Sequence, residues 1–239
     1  MTEPTEANPG ASDTDRRPRA SDGTTIGRLR SVVRWLVLFG GPALAAVAMW
    51  THPHTGDDVY ASLLPVADTF LATHVLYFGG VALLSGGLYL LVAGYDDPLA
   101  SVARFGAAVY AVLMLGFVAT VGITSGLLLR ESRALAPAKQ EGFAHALQYL
   151  HTEPLLIAAG ALGGLGYLVS VVSIAVVRRR AGDHRAPLAL LVGSVVAVGA
   201  HSGWAAIAGM GAFVVAVAWL EFRSSPAGTT EADDASPAT

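Results

Sequence analysis

Two long stretches of this chain, residues 70–94 and 105–129, contain no Asp, Glu, Lys or Arg. Each is longer than the ~20 apolar residues that an α-helix needs to cross the hydrocarbon core of a bilayer. Charged residues make up only 14% of the chain, against about 25% in soluble domains, so the polar surface of a water-soluble protein is missing. We therefore expect an all-α, polytopic transmembrane bundle.

Apolar runs at residues 35–50, 154–177 and 186–220 complete the pattern. We interpret the first as a retained helix rather than a cleaved signal peptide, because an unusually long polar leader precedes it. The last run would be about 52 Å long as one helix, well beyond the ~30 Å hydrocarbon core. We expect it to break at the His-Ser-Gly sequence that begins at His201, which gives six helices; a single tilted helix would give five.

The two ends of the chain differ from its centre. Residues 1–30 and 224–239 have no apolar periodicity and are rich in polar residues. Such segments bury too little apolar surface to become ordered. We therefore predict two disordered tails around a transmembrane helical domain of residues 31–223.

The composition also restricts chemistry and partners. The chain has no cysteine, which excludes disulfides and thiolate metal ligands. Its net charge of −3 argues against a nucleic-acid partner, because such proteins carry a basic surface. The lipid bilayer is the partner that the sequence predicts directly.

The basic residues predict the orientation. With a cytoplasmic N-terminus, twelve of the fifteen Lys and Arg residues lie on the inner side, and only Arg130, Arg133 and Lys139 lie outside. Cytoplasmic segments of membrane proteins carry such an excess. We therefore predict a multi-pass protein of the cell membrane with both termini in the cytoplasm.

Small residues recur at the spacing that lets two helices approach closely. Gly122 and Gly126 form one GxxxG pattern, and Gly160 and Gly164 form another. In lipid, such faces bring backbones into van der Waals contact. We interpret them as packing surfaces within the bundle; a homo-oligomer formed through these small-residue helix faces is the alternative.

Most histidines fall at or near the predicted outer face. They are His52, His54, His74, His145, His151 and His201. His74 lies inside the second helix, where an ionisable group is costly unless it is paired or lines a cavity. Imidazoles and carboxylates from separate helices could converge there on a metal.

The candidate metal ligands are His74, His151, His201 and Asp68. No His-x-x-x-His or His-Glu-x-x-His pattern occurs, so a metal site would require helices that are distant in sequence to come together. The alternative is that these residues have structural or hydrogen-bonding roles. Asp68, for example, suits the N-terminus of a helix because its charge complements the helix dipole. The sequence does not identify a cofactor.

Three classes of function remain open. The leading one is a non-enzymatic or accessory membrane protein with a small polar pocket at its outer face. In a zinc-dependent hydrolase, His74, His151 and His201 would hold the metal and Asp68 would activate water. In a b-type haem or quinone protein, two of these histidines would be axial ligands. An ion-coupled transporter is disfavoured, because the middles of the helices lack charged residues.

Several short motifs occur in a recognisable order. They are His52-Pro53 after the first helix, Asp68 and His74 at the entry of the second, VGITSGLLLRE at 121–131, and Trp219-Leu220-Glu221 at the end of the last. The order is similar to that of a family of uncharacterised prokaryotic multi-pass membrane proteins, whose third helix ends in a comparable Gly-x-x-[Ser/Thr]-Gly…Arg-Glu run. The resemblance covers about residues 35–222. It implies about six helices and carries no activity.

The orientation can be tested with single cysteines, because the chain has none of its own. We expect an impermeant thiol reagent, added to intact cells, to label Thr55→Cys and not Asp183→Cys or Ser225→Cys. The reason is that residue 55 is predicted to lie outside and the other two inside. Labelling at residue 183 or 225 without labelling at residue 55 would reverse the orientation.

Overall fold

The computed structural model describes residues 21–223, with side chains for residues 26–222. This part of the chain contains no strand and forms seven helices. They are α1 (Ile26–Thr51), α2 (Val59–Leu90), α3 (Pro98–Ser132), α4 (Pro137–Thr152), α5 (Pro154–Arg180), α6 (Arg185–Ala200) and α7 (Gly203–Phe222). The predicted all-α bundle is confirmed.

Five of the described helices, α1, α2, α3, α5 and α7, are long and apolar enough to cross a membrane, and α6 is a shorter apolar helix. The chain is therefore a helical membrane protein. The long final run breaks where the sequence predicted, since α6 ends at Ala200 and α7 begins at Gly203. Gly209 of α7 packs directly on Ala197 of α6, so the two helices form an antiparallel hairpin.

The N-terminal helix begins earlier than the apolar run indicates. Helical structure starts at Ser21, within the segment predicted to be a disordered tail. Extending an existing helix adds one hydrogen bond per residue without a new nucleation cost, which favours such an extension. The rest of the two predicted tails, residues 1–20 and 224–239, lies outside the described residues. By internal contacts the chain divides into Met1–Val33 and Arg34–Thr239; α1 begins in the first unit, and the helices after it belong to the second.

Glycines bring α3 and α5 into backbone contact. A Cβ atom added at Gly106 would lie 2.8 Å from the carbonyl oxygen of Gly166, and one at Gly166 would lie 2.8 Å from the amide nitrogen of Tyr110. The rings of Tyr110 and Tyr167 pack beside this contact, with centres 5.2 Å apart. Gly80 of α2 approaches α1 in the same way.

The two GxxxG patterns are also used inside the bundle. Gly122 and Gly126 of α3 lie against His74 and Leu71 of α2. Gly160 of α5 lies against a phenylalanine of α3, and Gly164 lies against a valine of α6. These glycine faces therefore hold neighbouring helices of the same chain together.

Arg34 and Arg104 lie at the end of the bundle opposite the group of His52, His74 and His201. Arg34 makes a paired hydrogen bond with Glu221, at 2.8 and 3.0 Å. Arg104 donates to the carbonyl oxygens of Val92 and Tyr95, both at 2.8 Å. These arginines join helix ends at one end of the bundle, so they stabilise it.

The glycine contact between α3 and α5 gives a stability prediction. Gly106→Val places a branched side chain against the Gly166 backbone, which cannot move aside. We expect the free energy of unfolding in detergent to fall by about 1–3 kcal/mol, the usual cost of overpacking. Gly116→Val is the control, because it makes the same change on α3 where a Cβ atom has open space. An equal loss in both variants would mean that helix propensity, not packing, causes the effect.

Candidate metal centre

Three imidazoles from separate parts of the chain meet at one end of the bundle. His52 follows the last residue of α1, His74 lies in α2, and His201 forms the turn between α6 and α7. One ring nitrogen from each lies within 4.8 Å of the other two. His74 is buried, and the other two rings are half-buried. Imidazole nitrogens grouped in this way can bind a transition metal.

The distances of the His52 ring from the other two rings are compatible with tetrahedral ligation of one ion. The ring centre of His52 is 5.0 Å from that of His74 and 5.0 Å from that of His201. With metal–nitrogen bonds of about 2.1 Å and ring centres about 1.1 Å beyond the nitrogens, tetrahedral ligation separates two ring centres by about 5.2 Å. Two axial ligands on opposite faces of a haem would be separated by about 6.4 Å. The observed distances therefore fit a small metal ion better than a haem.

Hydrogen bonds fix which nitrogen of two rings is free. Nδ1 of His74 donates to the carbonyl oxygen of Phe70 at 2.8 Å, and Nδ1 of His52 donates to that of Pro53 at 2.8 Å. A carbonyl oxygen only accepts hydrogen bonds, so each neutral ring carries its lone pair on Nε2. The Nε2 atom of His52 is buried without a hydrogen-bond partner among the described residues. Metal-binding histidines are commonly oriented by this type of backbone contact.

The backbone at His201 is unusual. Its φ angle is 56°, and no other non-glycine residue between 21 and 223 has a positive φ. This conformation is uncommon for side chains other than Asn, Asp and His. Its amide still donates to the Ala197 carbonyl oxygen, which closes the end of α6. The turn therefore holds the His201 ring at a fixed place beside His52.

Burial keeps the two imidazoles outside the spans neutral. It lowers the pKa of His52, although the hydrogen bond to Pro53 opposes this shift. Burial, with a smaller effect of the nearby His52, lowers the pKa of His201 to about 4. Near pH 7 both rings are neutral, which is the form that binds a metal.

His151 lies in the same cavity but outside the group of three. It belongs to the last turn of α4, and its Nε2 atom is 3.4 Å from the hydroxyl oxygen of Ser125. Burial, with a smaller effect of His52, lowers its pKa, so this imidazole is also neutral near pH 7. The structure therefore places His151 near the centre, as a neighbour of the three grouped rings.

The Asp68 carboxylate lies outside the group of three imidazoles. Its carboxylate is 66% exposed and forms ion pairs with Arg133 at 2.6 Å and Arg130 at 3.2 Å. Asp68 and His74 are six residues apart, which separates their side chains by about 120° around the helix. Of the four ligands proposed from the sequence, His74 and His201 are grouped, His151 is adjacent, and Asp68 faces away. The third member of the group is His52.

The centre lies at one end of a cavity of about 710 Å³. The cavity wall contains the four histidines and Thr55, and the rest of the wall is apolar or glycine. The apolar part comes from four helices: Phe70 on α2, Met114 to Val121 on α3, Ile157 to Leu168 on α5, and Val195 to Val198 on α6. The cavity therefore has a polar end at the imidazoles and an apolar body between the helices.

Gly122 supports the His74 ring. It lies in a π-helical turn of α3, Val118–Thr124, and the buried ring packs on its Cα atom. A Cβ atom added there would overlap the ring and lie 2.5 Å from its Cγ atom. Turns of this type are rare and often occur at functional sites. The sequence does not reveal the turn, because its residues are ordinary helix residues.

This contact predicts an effect on metal affinity. Gly122→Ala should displace the His74 ring and weaken binding of Co²⁺, a coloured probe for such centres, by about 10–100-fold, as for other supporting contacts. Visible absorption of Co²⁺ titrations measures the change. Gly116→Ala, on the same helix with open space at Cβ, should bind as the unchanged protein does. Equal Co²⁺ affinity in the unchanged protein and both variants would mean that Gly122 does not support the His74 ring.

Comparison of the chain with protein-family models, with curated proteins and with solved structures gave no match. The function is therefore inferred from the geometry and chemistry of the site.

Proposed function

We propose that this protein is a membrane protein that binds one zinc ion per chain through His52, His74 and His201. The observation that carries the proposal is the meeting of these three ring nitrogens within 4.8 Å. The unpartnered Nε2 atom of His52 supports it, because a buried polar atom without a hydrogen bond is costly unless a ligand binds it.

The donor set selects the kind of metal. Three neutral nitrogen ligands suit zinc and other transition metals, whereas magnesium and calcium prefer oxygen ligands. We propose zinc among them, because zinc is commonly bound by three imidazoles in an open tetrahedral site. Structural zinc sites use four protein ligands, and sites with three keep the fourth position open for water or another ligand. We therefore assign the centre to ligand binding and not to holding the fold together.

A zinc-dependent hydrolase is the second candidate. It is favoured by His151, a neutral imidazole that lines the same cavity and lies next to Ser125. In such an enzyme His151, in place of Asp68, would accept a proton from zinc-bound water. The haem alternative is less well supported for the two ring pairs that include His52, because each pair is closer together than two axial ligands would be.

The location of the centre follows from the proposed orientation. We infer that the membrane is the cell membrane and that the N-terminus is cytoplasmic, because the arginine-rich end of the bundle then lies inside. The zinc centre would lie near the outer boundary, within reach of extracellular metal. Membership of the prokaryotic multi-pass family that the motifs resemble is part of the same proposal.

Elemental analysis of the purified protein in detergent tests the centre. We expect about one zinc per chain, and loss of most of it in His52→Gln, His74→Gln and His201→Asn, because each change removes an imidazole ligand. Asn is chosen at His201 because it tolerates the positive φ angle, so the turn is kept.

Three controls separate this centre from weak surface binding. His54→Gln and His145→Gln change exposed histidines, and Asp68→Asn removes the carboxylate that lies outside the group. All three should keep the zinc. The proposal fails if the unchanged protein binds no zinc, or if the controls lose as much as the ligand variants.

A further inference from the structure

We propose that the cavity binds a long-chain carboxylate, with its head group on the open position of the zinc and its chain in the apolar body. This inference rests on the proposed function, since the zinc supplies the head-group contact. Four features of the cavity support it: the distribution of polarity, the length, the lack of charged side chains and the access from lipid.

The polar groups of the cavity are concentrated at one end. The four imidazoles and Thr55 supply the polar atoms of its wall, apart from the backbone. The remaining lining side chains are aliphatic, aromatic or thioether. A ligand that fits must have a single polar head and an otherwise apolar body, because a buried polar group without a partner is costly.

The apolar body is long enough to take up most of an alkyl chain. On α5 the lining residues run from Ile157 to Leu168 and repeat at the spacing of one helix face. This face is about 16 Å long at a rise of about 1.5 Å per residue. The cavity volume of about 710 Å³ also lies within the range typical of small-molecule sites, about 300–1,000 Å³.

The charge of the proposed zinc ion favours an anionic head group on the ligand. No Arg, Lys, Asp or Glu lines the cavity, so the zinc is the one proposed charge in it. Three neutral imidazoles leave the ion with its full double positive charge, which favours an anionic fourth ligand. A carboxylate supplies this charge through an oxygen that zinc accepts. A phosphodiester head would lack the arginine and lysine partners that usually bind phosphate.

The cavity is accessible from the side of the bundle. Ile157 and Leu165, which line it on α5, are 52% and 51% exposed, and both lie within a membrane-spanning helix. Ala161 between them and Gly199 on α6 are also exposed. A lipid-soluble ligand could therefore enter between α5 and α6 from the bilayer.

Ala161→Trp and Ala158→Trp test the cavity as a matched pair. Both alanines are exposed on α5, but only Ala161 lines the cavity. The probe is palmitate, titrated into zinc-loaded protein in a neutral detergent and followed by calorimetry. We expect Ala161→Trp to weaken palmitate binding at least tenfold, because the indole fills the space of the chain. Ala158→Trp should bind palmitate as the unchanged protein does.

Three further probes test the head group and the chain. Hexadecanol has the same chain without the charge and acetate has the charge without the chain, so both should bind at least tenfold more weakly than palmitate. Removal of zinc by a chelator should weaken palmitate binding to a similar degree. Decylubiquinone should not displace palmitate.

The outcomes distinguish this inference from the proposed function, because zinc is measured in every sample. The carboxylate inference alone would be overturned if the protein held one zinc per chain but bound no palmitate. It would also be overturned if both tryptophan variants bound palmitate equally well. Tighter binding of decylubiquinone than of palmitate would do the same and would indicate a quinone site. Absence of zinc from the unchanged protein would overturn both.

Discussion

Close backbone contact between helices is the constraint on which this structure depends. Lipid tails are as apolar as leucine side chains, so burial of leucine against leucine adds little to helix association in a bilayer. Contact at Gly106 and Gly166 instead brings α3 and α5 near enough for their backbones to touch. At Gly122 the missing side chain instead leaves room for the His74 ring. Helix packing and site geometry therefore both depend on glycines.

The sequence predicted the larger features of the fold because hydrocarbon thickness limits helix length. The break at His201 followed from a run too long for one span, and the glycine spacings indicated close packing. The helical residues from Ser21 to Arg30 were not predicted, because few apolar residues mark them. The π-helical turn of α3, Val118–Thr124, was also missed, since its hydrogen-bond shift has no signature in residue type.

The site was predictable in part. His74 was singled out because an ionisable residue inside a span is costly unless it is paired or lines a cavity, and His201 because no charged neighbour explains its position. His52 was left out of the ligand set, although its position just after a helix end and before Pro53 was visible. What brings it into the group is a hydrogen bond to the Pro53 carbonyl oxygen, which sequence spacing does not show. The six-residue spacing already placed Asp68 and His74 on different helical faces, which weakened the case for Asp68 as a ligand.

The absence of a carboxylate from the cavity wall has an electrostatic consequence. A zinc ion held by three neutral imidazoles keeps its double charge, and at the edge of a low-dielectric region this charge is costly without an anion nearby. Asp68 cannot supply one, because Arg130 and Arg133 already neutralise it outside the cavity. The negative charge has to come from the ligand, either as hydroxide from bound water or as an anionic head group. Zinc-bound hydroxide is the nucleophile that the hydrolase alternative requires, but it would leave the apolar body of the cavity empty. A carboxylate with an apolar chain would supply the negative charge and also fill that body.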